Sequence, residues 1–173
     1  MKIQSSLAVI FLVGTTASIY AQSSDQQFLK KAAQGNMAEV KLGQLAQQNG
    51  SNSSVKQFGE RMVKDHSRLD GEAKEVAQKR NITLPTTVSE KDQSEYQRLS
   101  LKTGNDFDKA YITAMIRDHE KDIAEFQKEA KSGMDPEIKE LAAKALPTLR
   151  EHLQLARDAA KQLGISTNPT GGD

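Results

Sequence analysis

Four long stretches of this chain repeat apolar residues at the 3.6-residue spacing of an α-helix, and each ends on a stop signal. In the first, over 25–49, Phe28, Ala32, Gly35, Glu39, Leu42 and Ala46 share one stripe; Ser24 with Gln27 reads as a capping pair, and Gly50 ends it. The second, over 54–80, carries Val55, Phe58, Met62, Asp65, His66, Leu69, Ala73 and Val76, and Asn81 and Pro85 close it. The third, over 106–131, places Phe107, Tyr111, Met115, His119, Asp122 and Phe126 on one face and stops at Gly133. The fourth opens at Asp135-Pro136-Glu137, an N-cap followed by proline at the first helical position. It continues through Ile138, Leu141, Ala145, Leu149, His152, Ala156, Ala159 and Leu163 to Gly164, with Pro147 expected to bend it.

Such a pattern is satisfied by helices packed on helices, so the expectation is an all-α four-helix bundle. The Ser-Asn-Ser-Ser turn at 51–54 is short and makes the first two helices antiparallel. Residues 82–104 form a longer connection, in which Ser89 and Asp92 cap a short extra helix reaching Leu101, with Gly104 as its stop. That connection is long enough to cross the bundle and set the third helix parallel to the second, the ferritin-like case; the pattern alone leaves its direction open. The core holds by packing alone, because the chain has no cysteine. The same absence excludes disulfides, thiolate metal sites and thiol catalysis.

The first 21 residues read as a cleavable signal peptide: Lys2, the apolar run Leu7 to Gly14, then small polar residues and cleavage after Ala21. The apolar run is shorter than the roughly 20 residues a membrane span needs. Export to the periplasm or the exterior is expected, with a domain over 22–164, a loose tail over 165–173, and no membrane span after cleavage. The 24 basic and 23 acidic residues nearly cancel, and losing Lys2 leaves 23 of each. A balanced chain has no basic field for a phosphate backbone, so nucleic acid is not an expected partner; protein partners are not legible.

The three histidines, His66, His119 and His152, lie on different helices, each in the apolar stripe and near mid-helix. Glu39 is the corresponding polar residue of the first helix. Mid-helix residues share one layer whichever way the helices run, so Glu39, His66, His119 and His152 are candidate ligands for one divalent transition metal (Zn, Cu or Ni). Each histidine follows a basic and then an acidic residue: Lys64-Asp65, Arg117-Asp118 and Arg150-Glu151. Composition alone gives that prefix about once in fifty cases, so three of three is not chance. The acid is expected to hold a ring on the neighbouring helix, and the base to pair towards solvent. Asp122, one turn after His119, is a further candidate ligand or a rim residue; Met37, Met62, Met115 and Met134 read as core fillers. The competing reading is a polar layer that only fixes helix register. No nucleophile–base pair, phosphate loop or nucleotide fingerprint is present, so binding is favoured over catalysis.

These residues also carry a resemblance. Phe28-Leu-Lys-Lys-Ala-Ala through Glu39, Met62-Val-Lys-Asp-His66, Phe107-Asp-Lys-Ala-Tyr111 with Asp118-His119-Glu120, and Leu146-Pro-Thr-Leu-Arg-Glu-His152 resemble the bacterial exported family catalogued as Domain of Unknown Function 4142, over about 25–163. The resemblance implies an exported ferritin-like bundle and no settled activity. Ferritin-type di-iron chemistry does not carry over: it needs Glu-x-x-His on two helices, and the residues three before the histidines are Val63, Ile116 and Leu149. The function expected is therefore an exported helical protein holding one metal in its Glu/His layer. The alternative is a non-catalytic envelope or stress-related interaction module with a purely structural layer.

Overall fold

The computed structural model describes the backbone of residues 15–166 and the side chains of 24–166. The apolar run Leu7 to Gly14 and the end of the tail lie outside these residues. Five helices make up the described chain: α1 (Thr15–Asn49), α2 (Ser53–Lys79), α3 (Glu90–Ser100), α4 (Gly104–Ser132) and α5 (Pro136–Gln162). No strand occurs among the described residues. All-α architecture with one short extra helix is therefore what the chain adopts. Among the described residues no helix is long and apolar enough to cross a membrane.

The local signals act largely as the sequence indicates. Asn52 caps α2 by accepting from Ser54 N–H at 2.8 Å. Ser89 caps α3 from Asp92 N–H, while its hydroxyl donates to the Asp92 carboxylate at 2.7 Å. Asp135 caps α5 through the N–H groups of Glu137 and Ile138. Asn81 takes a left-handed φ of 54° after α2, which lets Ile82 N–H reach back to the Ala77 carbonyl at 2.8 Å. Two expectations need correcting. In the full, uncleaved chain Ser24 is not a cap, because α1 runs continuously from Thr15 and the preceding turn already supplies carbonyls to its N–H groups. Gly104 does not end α3; it opens α4 with φ 61°, and Leu101 is the residue that closes α3. Pro147 lies inside an unbroken α5.

Helix direction follows from contacts at the two ends. Near the start of α4, Asp108 accepts from Ser51 N–H, Asn52 N–H and the Ser51 hydroxyl (2.6 Å), so α4 begins where α1 passes into α2. Ser54 meets Gln162 there at 2.7 Å, which brings the end of α5 to the same end. At the other end Asp135 pairs with Arg80, and Asp25 accepts from Met134 and Asp135 N–H at 2.8 and 2.6 Å. Hence α2 and α4 run the same way, and the connection through α3 spans the length between the ends. The hairpins α1–α2 and α4–α5 pack face to face, α2 beside α5 and α1 beside α4.

The core falls into two apolar clusters. One joins Leu42, Leu45, Val55, Phe58, Met62, Phe107, Tyr111, Met115 and Ala156; the other joins Leu29, Ala73, Ala77, Ile138 and Leu141. Along α1, α2 and α5, the residues left between the clusters include Glu39, His66 and His152. A buried polar layer therefore separates two apolar halves.

Candidate metal centre

His66, His119 and His152 are at most 2% exposed and come together from α2, α4 and α5. One ring nitrogen of each lies within 4.8 Å of those of the other two. Hydrogen bonds on the outer side of each ring assign the tautomers. His119 Nδ1 is 2.9 Å from the Met115 carbonyl, which can only accept; Nδ1 therefore carries the hydrogen and Nε2 a lone pair. His152 Nε2 is 2.9 Å from the Asp65 carboxylate and donates to it, leaving the lone pair on Nδ1. Those two lone-pair nitrogens face each other at 3.4 Å. His66 Nδ1 donates to Asn36 Oδ1 at 3.0 Å, and its bare Nε2 is buried with no hydrogen-bond partner among the described residues.

Two lone pairs thus face each other without a hydrogen between them, next to a third ring whose bare nitrogen is also buried, an arrangement that repels unless a cation joins it. A proton is poorly suited. Burial holds His119 down at about 4, with the charge of His152 adding to the effect. His66 is held well below its ordinary value by burial and by both other rings. Burial also lowers His152, against the opposing pull of Asp65. Neutral imidazoles at neutral pH are what a metal ion requires. In a tetrahedral site with metal–nitrogen bonds near 2 Å, donor nitrogens stand about 3.3 Å apart, close to the His119–His152 spacing.

The supporting residues divide unequally. Asp65, next to His66 in sequence, does hold the ring of a neighbouring helix, as the repeated prefix suggests. Burial alone would raise its carboxyl, but hydrogen bonds from Arg61 and His152 outweigh that and keep it low; Arg61 in turn bonds Glu151 at 3.1 Å. Asp118 and Glu151 bond no histidine; Asp118 pairs with Arg117 and Lys91, and Arg117 also reaches Glu95 on α3. Glu39 is 5% exposed on α1 and is not among the mutually close donors, yet with His66 it lines one cavity of about 300 Å³. Burial and then the charges of Asp122, Asp118 and Asp92 push its carboxyl well up, and its Oε2 has no hydrogen-bond partner among the described residues. Asp122 lines the same cavity. Met62 and Met115 are fully buried fillers, but Met134 is 65% exposed, because it sits in the α4–α5 turn beyond the packed faces. Asn36, which orients His66, carries no signal in the sequence, since an isolated asparagine in a helical stripe reads as surface.

A helical protein with a buried trihistidine cluster is the class this geometry defines. The chain belongs to the family described as Domain of unknown function (DUF4142), whose model matches residues 14–159. No functionally curated protein matches it. A crystal structure described as "putative secreted protein DUF305 from Streptomyces coelicolor" shares the fold, with a TM-score of 0.71 at 14% identity; the match covers 86% of this chain and 98% of that one.

Proposed function

We propose that this protein is an exported, ferritin-like four-helix bundle that holds one divalent transition-metal ion at His66, His119 and His152, with Glu39 as fourth donor from α1. The carrying observation is the pair of lone-pair nitrogens facing each other at 3.4 Å beside the unpartnered His66 Nε2. An all-nitrogen set with one carboxylate suits Zn, Cu or Ni. Four protein donors close a site, whereas catalytic metals keep an open position, so the role favoured is to buffer or sense the ion rather than to turn over a substrate. Export rests on the apolar run Leu7 to Gly14 with the small residues before Gln22, and the similar Streptomyces coelicolor protein carries the description "putative secreted protein".

The test is thermal melting of residues 22–173, stripped of metal and titrated with Zn, Cu, Ni and Fe. A ligand at a hundredfold excess over its Kd adds about 2.7 kcal/mol, a rise of several degrees. One metal should produce it and His119→Ala should remove it. If no metal moves the melt, the layer is structural and the protein is an envelope or stress-related interaction module.

A further inference from the structure

The cavity that Glu39 and His66 share is bounded by α1, α3 and α4 and opens to solvent between them. Its walls are sorted by depth and charge. Towards the outside, Arg117 pairs with Glu95 and Asp118, Lys91 with Asp118, and Lys121 with Glu125. Asp122 and Glu39 form no ion pair among the described residues. Two of the lining side chains, Glu39 and His66, are at least nine-tenths buried, and each carries a buried polar atom without a hydrogen-bond partner among the described residues, one an oxygen and one a nitrogen. A carboxylate lining followed by a buried imidazole is an ordered series of donors, oxygen outside and nitrogen inside. Oxygen donors hold hydrated divalent ions weakly, and imidazoles take them once water is shed.

We propose that this cavity admits the metal: a hydrated divalent cation is drawn in by Asp122, lodges between Asp122 and Glu39, and passes to the histidines at His66. The proposal rests on the metal-centre reading above. A second cleft, of about 880 Å³, approaches Asn36 from between α1, α2 and the stretch 86–97, and carries Asp70 on its wall. It is the rival route. Asn36 lines both, but neither Glu39 nor His66 lines the second cleft, so what it reaches is the amide bonded to His66 Nδ1 and not the ring itself.

The experiment is stopped-flow mixing of the purified protein at pH 8, where the Asp122 carboxyl is ionised, with Co(II), whose absorption reports nitrogen ligation, alongside equilibrium titration of the same samples. Neutralising Asp122 in Asp122→Asn should slow association several-fold at low salt, and Asp122→Lys should slow it about tenfold or more, as expected for a focusing charge in a low-dielectric cleft. Both effects should shrink as salt is raised, and Asp70→Asn should leave the rate unchanged. Circular dichroism of each variant checks that the fold is kept. Equal rates in wild type and both Asp122 variants, with Co(II) still bound at equilibrium, would overturn the route while leaving the metal centre standing. Slowing by Asp70→Asn alone would assign access to the other cleft. Absence of Co(II), Zn and Cu binding by the wild-type protein would overturn the centre and the route together.

Discussion

Asp65 shows how one side chain can set the chemistry of another helix. Its carboxylate accepts from His152 Nε2 and is itself held by Arg61, so the His152 lone pair is fixed on the inward nitrogen. Asp65→Asn keeps the shape but weakens that orientation, and such outer partners are worth about 10–100-fold in metal affinity. Competition with a chelator should show a loss in that range with an unchanged fold; full affinity in the variant would remove Asp65 from the account. Asp122 yields a prediction with a pH signature. Burial first, then Asp118 and Glu125, raise its carboxyl to about 7, whereas an unfolded aspartate titrates near 4. As pH rises from 4 to 7 the unfolded chain ionises first, so wild type loses stability across that window and the loss is complete above 7. Asp122→Asn escapes it: metal-free melts should favour the variant at pH 8 and converge with wild type near pH 4. An advantage of equal size at both pH values would mean that charge is not the cause. The histidines pull the other way, their lowered values costing the metal-free fold stability as pH falls below the ordinary histidine range, which is why single variants are compared. His66, His119 and His152 were legible because a repeated prefix and mid-helix position are local facts. Asn36 and Asp108 were not, since their partners lie 30 and 57 residues away and no local pattern encodes those pairings.

The helices themselves are joined at points that periodicity does not reveal. Gly43 on α1 and Gly59 on α2 face each other so closely that a Cβ on either would lie 2.6–2.8 Å from the other's carbonyl oxygen. Backbone on both sides leaves nothing flexible to yield, so Gly59→Ala should force the hairpin apart and cost about 1–3 kcal/mol. Gly71→Ala, on the same helix with nothing within 4 Å, should be neutral or stabilising by a few tenths. Denaturant titration of the pair is its own control, and equal effects would refute close packing at 43 and 59. Asp108 is the other joint: fully buried, it ties α4 to the turn at 51–52 and explains why an aspartate sits inside Phe107-Asp108-Lys109-Ala110-Tyr111 between two core aromatics. The helical segments were readable because caps and stops act within a few residues. The start of α1 was misread because Ser24 carries a capping pattern whether or not the helix continues upstream, and only the preceding residues decide between the two.

At the scale of the whole molecule, the three histidines divide between the hairpins. His66 belongs to α1–α2, while His119 and His152 both belong to α4–α5. Among the rings, His66 alone therefore lets a bound ion join the two halves. The long connection through α3 is the single covalent link between those halves. The direction of that connection could not be read from its sequence, because residue spacing records its length and not the end at which it finishes; Asp108 against Ser51 settles it. An ion held by all three histidines should protect amide hydrogens of α2 and α5 together, since opening their interface would have to break its coordination. In His66→Ala the two remaining histidines sit on one hairpin, and Glu39 on α1 is the donor left from the other. Metal should still bind, weakened, and should protect α4 and α5 while the protection of α2, to which no ligand now belongs, falls most of the way to its metal-free rate. Hydrogen exchange with and without metal, followed helix by helix, separates these patterns. Protection of α2 that persists in His66→Ala would mean that Glu39 on α1 alone carries the link between the hairpins; protection of neither hairpin in wild type would mean that the ion, if bound, joins nothing.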